Sequence, residues 1–365
     1  MITPASAMKP HVGGLPQTRF AGETFRQYMP ATGLDLFAQL CSKAQPLPVP
    51  TSPEYPPSKV FSVTHPKTQR TLHLQQWARH GERVEDQPEQ APVVLLVHGL
   101  GGNARWQAPL ANEILNSQNC ISNRALVYSI HLPRTAKTHY AEGRIDDIQD
   151  LVGEVQEAIN YLSLRHGNSV YAVGTSLGGL LLTEIAADPP PELSGVSLIS
   201  PAYRPLVSKA DKAQVVAARV LKRVGLLGLV SKRIKRHETE EQKSNQENIP
   251  EGLSPLQEQV AREKNETPNL DLTPESYLQV VDLMKRATNQ LVQNIRIPVQ
   301  VFISEADDTI DPETMKEASH QLPNQPYKDV TIYEDGEHDL IVSKRLGQMA
   351  RDINERLENI LYTAD

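Results

Sequence analysis

Residues 170–187 constrain this chain more than any other stretch. Val170-Tyr171-Ala172-Val173 are mostly apolar and β-favouring, and they run straight into Gly174-Thr175-Ser176-Leu177-Gly178. The apolar segment from Leu180 to Ala187 follows and reads as helix. A strand, a sharp turn and a helix are thus compressed into eighteen positions with a serine at the apex. Such a turn forces strained backbone angles on the serine. It also brings strand and helix so close that side chains at 174 and 178 would clash, which is why glycine stands there. The bare pattern Gly-x-Ser-x-Gly arises by chance in about one chain in ten of this length. An ordinary glycine-rich turn carrying a solvated serine is therefore the competing reading, and the rest of the chain decides.

The surroundings support a parallel sheet. Val93 to Val97 is continuously apolar, the mark of a strand buried on both faces. It ends in His98-Gly99-Leu100-Gly101-Gly102-Asn103. A helix over about 104–117, a strand from Ala125 to Ile130 and an amphipathic helix over 145–164 come next. The last carries Ile148, Leu151, Val155, Ile159 and Leu162 on one face. After Ser176 a strand spans Gly195 to Pro201. Later the pattern resumes with a strand at Pro298–Ser304, a helix near 312–321, a strand at Val330–Tyr333 and a helix over about 343–361. Upstream, 58–64 and 71–79 read as a hairpin about the turn Pro66–Gln69. Alternating strands and helices predict an α/β fold, a mostly parallel central sheet with helices on both faces.

A serine hydroxyl is a weak nucleophile until a base takes its proton, and the base needs an orienting acid. Both must come from loops that leave the same edge of the sheet. Two later strands end in suitable residues. One runs into Glu305-Ala306-Asp307-Asp308-Thr309-Ile310-Asp311-Pro312, the other into Glu334-Asp335-Gly336-Glu337-His338-Asp339. An oxyanion formed by attack on a carbonyl needs N–H donors. Those of Leu177, just after the serine, and Leu100, in the glycine-rich loop, are the candidates.

Together, Val-His-Gly-Leu-Gly-Gly, Gly-Thr-Ser-Leu-Gly-Gly, Ser-Glu-Ala-Asp-Asp-Thr-Ile-Asp-Pro and Gly-Glu-His-Asp make the chain resemble the α/β-hydrolase superfamily. Within it the chain looks like the esterase branch of monoacylglycerol lipases, lysophospholipases and serine aminopeptidases, over about residues 58–202 and 295–361. The resemblance implies Ser176 as nucleophile, His338 as general base, and Leu100 with Leu177 as the oxyanion hole. On the family's Gly-x-x-Asp-x-x-Val-x pattern the acid falls on Asp308. Glu305 stands where glycine is usual, so Asp307 is the alternative. The implied activity is hydrolysis of carboxylic esters, of mono-acyl lipids or medium-chain esters, with no metal or organic cofactor. Aminopeptidase or thioesterase action on the same triad is the alternative, and a binding protein that keeps the fold without catalysis is another.

The resemblance also suggests a plan: residues 1–57 an N-terminal extension with a proline-rich linker, 58–202 the first part of the core, 203–290 an inserted helical cap, and 291–365 the second part. Residues 31–43 read as a short helix, and six prolines lie between Pro46 and Pro57. Lys209 to Arg236 holds nine Lys/Arg and one Asp in an amphipathic pattern, which points to contact between the cap and anionic lipid. The plainer reading is a solvated helix that packs its apolar face on the core. Residues 238–275 are acidic and rich in Gln and Asn, and read as an exposed or mobile connection.

Other readings fall away. Gly99-Leu100-Gly101-Gly102-Asn103-Ala104 fits a dinucleotide fingerprint, but no acid ends the next strand at Ser129-Ile130-His131-Leu132. A net charge of −7 implies no general affinity for nucleic acid. His98 is expected to be structural, bonding the loops around the oxyanion turn. Asp146, Asp147 and Asp150 are expected to serve a helix N-terminus. The two cysteines, Cys41 and Cys120, make neither a metal spacing nor a disulfide framework. Without a secretory h-region or a membrane-length apolar run, the expected location is cytoplasmic.

Overall fold

The computed structural model describes residues 55–64, 71–87, 91–117, 125–132, 145, 147–206, 219, 249–266, 272–323 and 328–362. Its centre is an eight-stranded sheet. The strands are β1 (Ser58–Thr64), β2 (Thr71–Trp77), β3 (Val93–Val97), β4 (Leu126–His131), β5 (Val170–Thr175), β6 (Leu193–Ile199), β7 (Val299–Ser304) and β8 (Lys328–Tyr333). Their spatial order is β1-β2-β4-β3-β5-β6-β7-β8. β2 pairs antiparallel with both β1 and β4. The remaining pairings are parallel, so β2 alone runs against the rest.

The helices cover both faces, which explains why β3 and β5 are apolar without alternation. On one face α2 (Ile148–His166) and α3 (Leu177–Ala187) pack with α6 (Pro312–Gln321), burying Leu151, Leu162, Leu181 and Met315 beneath Leu95 and Val301. On the other, α1 (Ala108–Asn116) and α7 (Leu346–Tyr362) bury Leu110, Ile114, Met349 and Ile353 against Val94, Val173 and Phe302. α3 sits where it is enclosed on every side, matching its all-round apolar sequence.

Local chemistry sets the ends. Asn103 accepts N–H bonds from Arg105 and Trp106, so the predicted helix over 104–117 begins as a 3-10 turn, Ala104–Gln107, before α1. Asp147 caps α2 by accepting from Gln149 N, as expected of that acidic cluster. Gly167, at φ 68, ends the same helix and donates to Ser163 O.

Among the described residues two long helices lie between β6 and β7: α4 (Pro255–Glu266) and α5 (Pro274–Arg286). α5 continues into a π turn and a 3-10 turn that end at Asn294. α4 differs from the sequence reading, in which 238–275 is an exposed or mobile connection. It is a helix that buries Leu256, Val260 and Ala261. Its start is a capping box: Ser254 Oγ accepts from Gln257 N while Gln257 Oε1 accepts from Ser254 N. The overall polarity of the segment conceals this short motif. α4 and α5 pack on opposite faces, Val260 with one core and Leu283 with the other. The readings of 31–43, of the linker through 54, of the turn Pro66–Gln69, of Cys41 and Cys120, of Asp146, and of Lys209–Arg236 apart from Arg219 lie outside the described residues.

Candidate active site

Because β3, β5, β6, β7 and β8 run parallel, the loops that follow them leave one edge of the sheet. In register, Val97 lies beside Gly174, Thr175 beside Ile199, and Ser304 beside Tyr333. The glycine-rich loop, the serine turn, the acidic loop and the histidine loop therefore meet.

Ser176 has φ 53 and ψ −113, a conformation an L-residue adopts only at a cost of roughly 1–3 kcal/mol. The surroundings hold it there. Ser176 N donates to Ile199 O, and its own carbonyl accepts from Leu180 N and Ala202 N. The tightness anticipated at the two glycines is real. A Cβ at Gly174 would lie 2.5 Å from Gly178 O, and one at Gly178 would lie 2.2 Å from Val97 O.

His338 joins this serine to the acidic loop. Its Nε2 is 2.9 Å from Ser176 Oγ and its Nδ1 is 2.7 Å from Asp307 Oδ2. A carboxylate oxygen accepts, so Nδ1 carries the hydrogen and Nε2 is left to accept from the serine hydroxyl. Asp307 has a fully buried side chain. Its other oxygen accepts from Thr309 N and Ile310 N at 2.9 and 2.7 Å, which fixes the carboxylate in place.

The family pattern points to Asp308, whereas the carboxylate hydrogen-bonded to His338 is that of Asp307. Successive residues of the tight turn point in different directions, and it is Asp307 that turns inward. Asp308 Oδ1 accepts from Thr309 Oγ1 at 3.0 Å instead. Asp308 also lies near Glu337, whose carboxyl is raised above its usual range, first by burial and then by that neighbouring charge. Glu305, in the place of the usual glycine, is accommodated by pointing outward to Lys316 at 2.6 Å. The acidic and histidine loops are also tied by a hydrogen bond from Ser304 Oγ to Gly336 O, a link with no distinctive sequence signal.

The glycine-rich loop abuts the serine. A Cβ on Gly99 would come within 3.1 Å of Ser176 Cβ. Gly102 N donates to Gly99 O and Gly101 has φ 75, the hallmark of a type II turn with glycine at its third position. Leu100 is the second residue of that turn, so its N–H takes no part in the closing bond. Leu177 opens α3, where N–H groups have no acceptor inside the helix. The two loops that carry these N–H groups both adjoin Ser176. His98 is buried, with Nδ1 bonded to Gly99 O at 2.8 Å and Nε2 accepting from Leu132 N at 3.2 Å. Burial lowers it to about 4, so it is neutral near pH 7, with both ring nitrogens engaged in holding the loop. That matches its expected structural part.

Further out, α4 crosses behind this assembly, which sequence reasoning missed. Gln257 Nε2 donates to Ile341 O at 3.0 Å and Ser343 O at 2.8 Å. Lys264 pairs with Asp339, the residue after His338. The Ser-Pro-x-Gln start of α4 is the signal that could have revealed a helix here.

The strand order, the strained serine turn and the hydrogen-bonded series Asp307–His338–Ser176 define an α/β-hydrolase. Residues 88–345 match the model of the serine aminopeptidase family S33, and the chain belongs to that family. Among solved structures it is similar to the monoacylglycerol lipase of Paleococcus ferrophilus, at 20% identity, TM-score 0.56, covering 74% of this chain and 96% of that one. It is also similar to a soluble variant of the monoglyceride lipase of Saccharomyces cerevisiae in complex with a substrate analogue, at 15% identity, TM-score 0.60, covering 86% and 100%. A third is Est1E from Butyrivibrio proteoclasticus, at 16% identity, TM-score 0.52, covering 83% and 99%. At these identities the likeness speaks for the fold alone. A search of curated proteins finds no match. Among the described residues no helix is long and apolar enough to cross a membrane.

Proposed function

We propose that this protein hydrolyses carboxylic esters through an acyl-enzyme on Ser176. The observation that carries the reading is the unbroken hydrogen-bonded series from the buried Asp307 carboxylate through His338 to the Ser176 hydroxyl. His338 Nε2 takes the hydroxyl proton as Ser176 Oγ bonds to the ester carbonyl carbon. The resulting oxyanion is stabilised by the N–H groups of Leu100 and Leu177. The carbon–oxygen bond to the alcohol then breaks, and the alcohol leaves with the proton from His338. Water, activated by the same imidazole, attacks the acyl carbon and releases the acid. Asp307 holds the imidazole tautomer and stabilises the imidazolium. No metal or organic cofactor enters these steps.

The substrate reading is a mono-acyl lipid or medium-chain ester. Leu100 on the oxyanion loop and Leu206, beside the acidic loop through its N–H bond to Thr309 O, are both exposed, and offer apolar surface to an acyl chain. The monoacylglycerol lipases among the structural neighbours agree with this. The description of the family as serine aminopeptidases favours a second reading, cleavage of an amide after a free amino group.

The test is labelling by a fluorophosphonate, followed by turnover of p-nitrophenyl esters from acetate to laurate beside aminoacyl p-nitroanilides. Wild type should be labelled and Ser176→Ala should not. Rates should peak at intermediate acyl length and be negligible on the anilides. Equal labelling of Ser176→Ala would end the hydrolase reading; a peak at acetate with nothing longer would end the lipid one.

A further inference from the structure

Helix α4 comes from the insertion between β6 and β7, yet its buried face is aimed at the catalytic loops. Gln257, Val260, Ala261 and Lys264 follow the i, i+3, i+4, i+7 spacing that lines one side of a helix. Val260 is fully buried in the core beside Leu340 and Ile341. At one end of this face Gln257 holds the carbonyls of Ile341 and Ser343. At the other end Lys264 meets Asp339 Oδ2, while Asp339 Oδ1 accepts from Ile341 N at 3.3 Å and caps the 3-10 turn Leu340–Val342. Both ends of the segment that follows His338 are therefore gripped by one helix.

The same helix reaches the oxyanion side. Glu263 lies 3.6 Å from Arg105, and the Lys264 ammonium sits 5.4 Å from the centre of the Trp106 ring. Arg105 and Trp106 are the residues whose N–H groups Asn103 caps, immediately after the glycine-rich turn. Arg105 in turn stacks 4.5 Å over the Tyr55 ring. A largely buried ammonium is costly unless paired, and Asp339 is the carboxylate that pairs with it.

We infer that α4 is a brace that sets the distance between the general base and the oxyanion donors, with Lys264 and Gln257 as positioning residues for His338. The inference rests on the proposed function, since it assigns these residues a part in that reaction. A misplacement of about 1 Å far from the chemistry can cost ~100-fold in rate, so loosening the brace has a measurable consequence.

The experiment measures p-nitrophenyl butyrate turnover and the second-order rate of fluorophosphonate labelling on the full chain. Wild type and Ser176→Ala come first. A wild type that is not labelled sinks the functional reading, and this inference with it. Given a labelled wild type, Lys264→Met should lower kcat about tenfold or more with KM within threefold, and slow labelling by a similar factor. Lys264→Arg, which keeps the charge, should stay within threefold of wild type. Combining Lys264→Met with Asp339→Asn should cost no more than the worse single change. Gln257→Met should reproduce the kcat loss. Asp339→Asn supplies the same reading if Lys264→Met does not fold. A fall in kcat smaller than threefold in the folded variants, or a loss carried entirely by KM, would overturn the brace while leaving the hydrolase reading intact.

Discussion

Which of two adjacent aspartates serves His338 is decided by a few ångströms of turn geometry. Asp307 accepts two backbone N–H bonds and the imidazole, whereas Asp308 bonds the Thr309 hydroxyl. Asp307→Asn should therefore reduce kcat on a p-nitrophenyl ester by ~10⁴-fold, because an amide in that place favours the wrong imidazole tautomer. Asp308→Asn should stay within about threefold. Steady-state kinetics on both variants checks this, and the reverse ranking would return the role to Asp308. The oxyanion loop allows an equally local test. Leu100 is the second residue of a type II turn, a position where proline is at home. Leu100→Pro therefore keeps the turn while removing the very N–H assigned to the oxyanion. The expected outcome is a kcat loss of ~10²–10³-fold with little change in melting temperature. An unaffected kcat would remove Leu100 from the oxyanion hole.

Elements that bury a face were legible in the sequence; contacts made by polar residues across long separations were not. β3 announced itself as an uninterrupted apolar run, β5 as a mostly apolar one, and the serine turn as glycines at 174 and 178. Gly178→Ala should confirm how little room that turn has. Its Cβ would meet the Val97 carbonyl at 2.2 Å, and backbone yields far less readily than a side-chain tip. Destabilisation at or above the ~1–3 kcal/mol typical of overpacking should appear in chemical unfolding, with loss of fluorophosphonate labelling. α4 was hidden because composition averages over its neighbours and its buried apolar residues are only Leu256, Val260 and Ala261. Its capping box is nonetheless a local rule, and Ser254→Ala should cost about 1 kcal/mol of stability. The family pattern falls on Asp308 rather than Asp307 for a different reason. A motif fixes spacing along the chain, but which carboxylate turns inward depends on Ser304, Thr309 and Ile310, whose bonds exist only once the turn has formed.

For the molecule as a whole, burying neutral histidines links stability to pH. Burial lowers His98 to about 4, a shift the nearby Lys264 charge reinforces and the bond to Gly99 opposes. His131, on β4, is lowered to about 3, first by burial and then by the neighbouring His98 and His73. Unfolded histidines protonate near 6.5. Below that value the unfolded chain binds protons that the folded one refuses, so the contribution is complete above about 6.5 and is lost as pH falls toward 4 and then 3. Each such histidine should remove about 1 kcal/mol of stability between pH 6 and pH 5. Glu337 acts in the opposite sense. Its carboxyl is raised in the folded state, so the fold gains as the pH falls through that raised value, against the loss from the histidines. Urea unfolding of wild type at pH 7, 6 and 5 should therefore show a falling midpoint. In His98→Asn, which loses stability at pH 7 but has no imidazole to protonate, the decline between pH 6 and 5 should be shallower by about 1 kcal/mol. Parallel curves for the two proteins would mean that His98 is not held neutral in the folded state. The oxyanion loop would then need another anchor than an imidazole donating to Gly99 and accepting from Leu132.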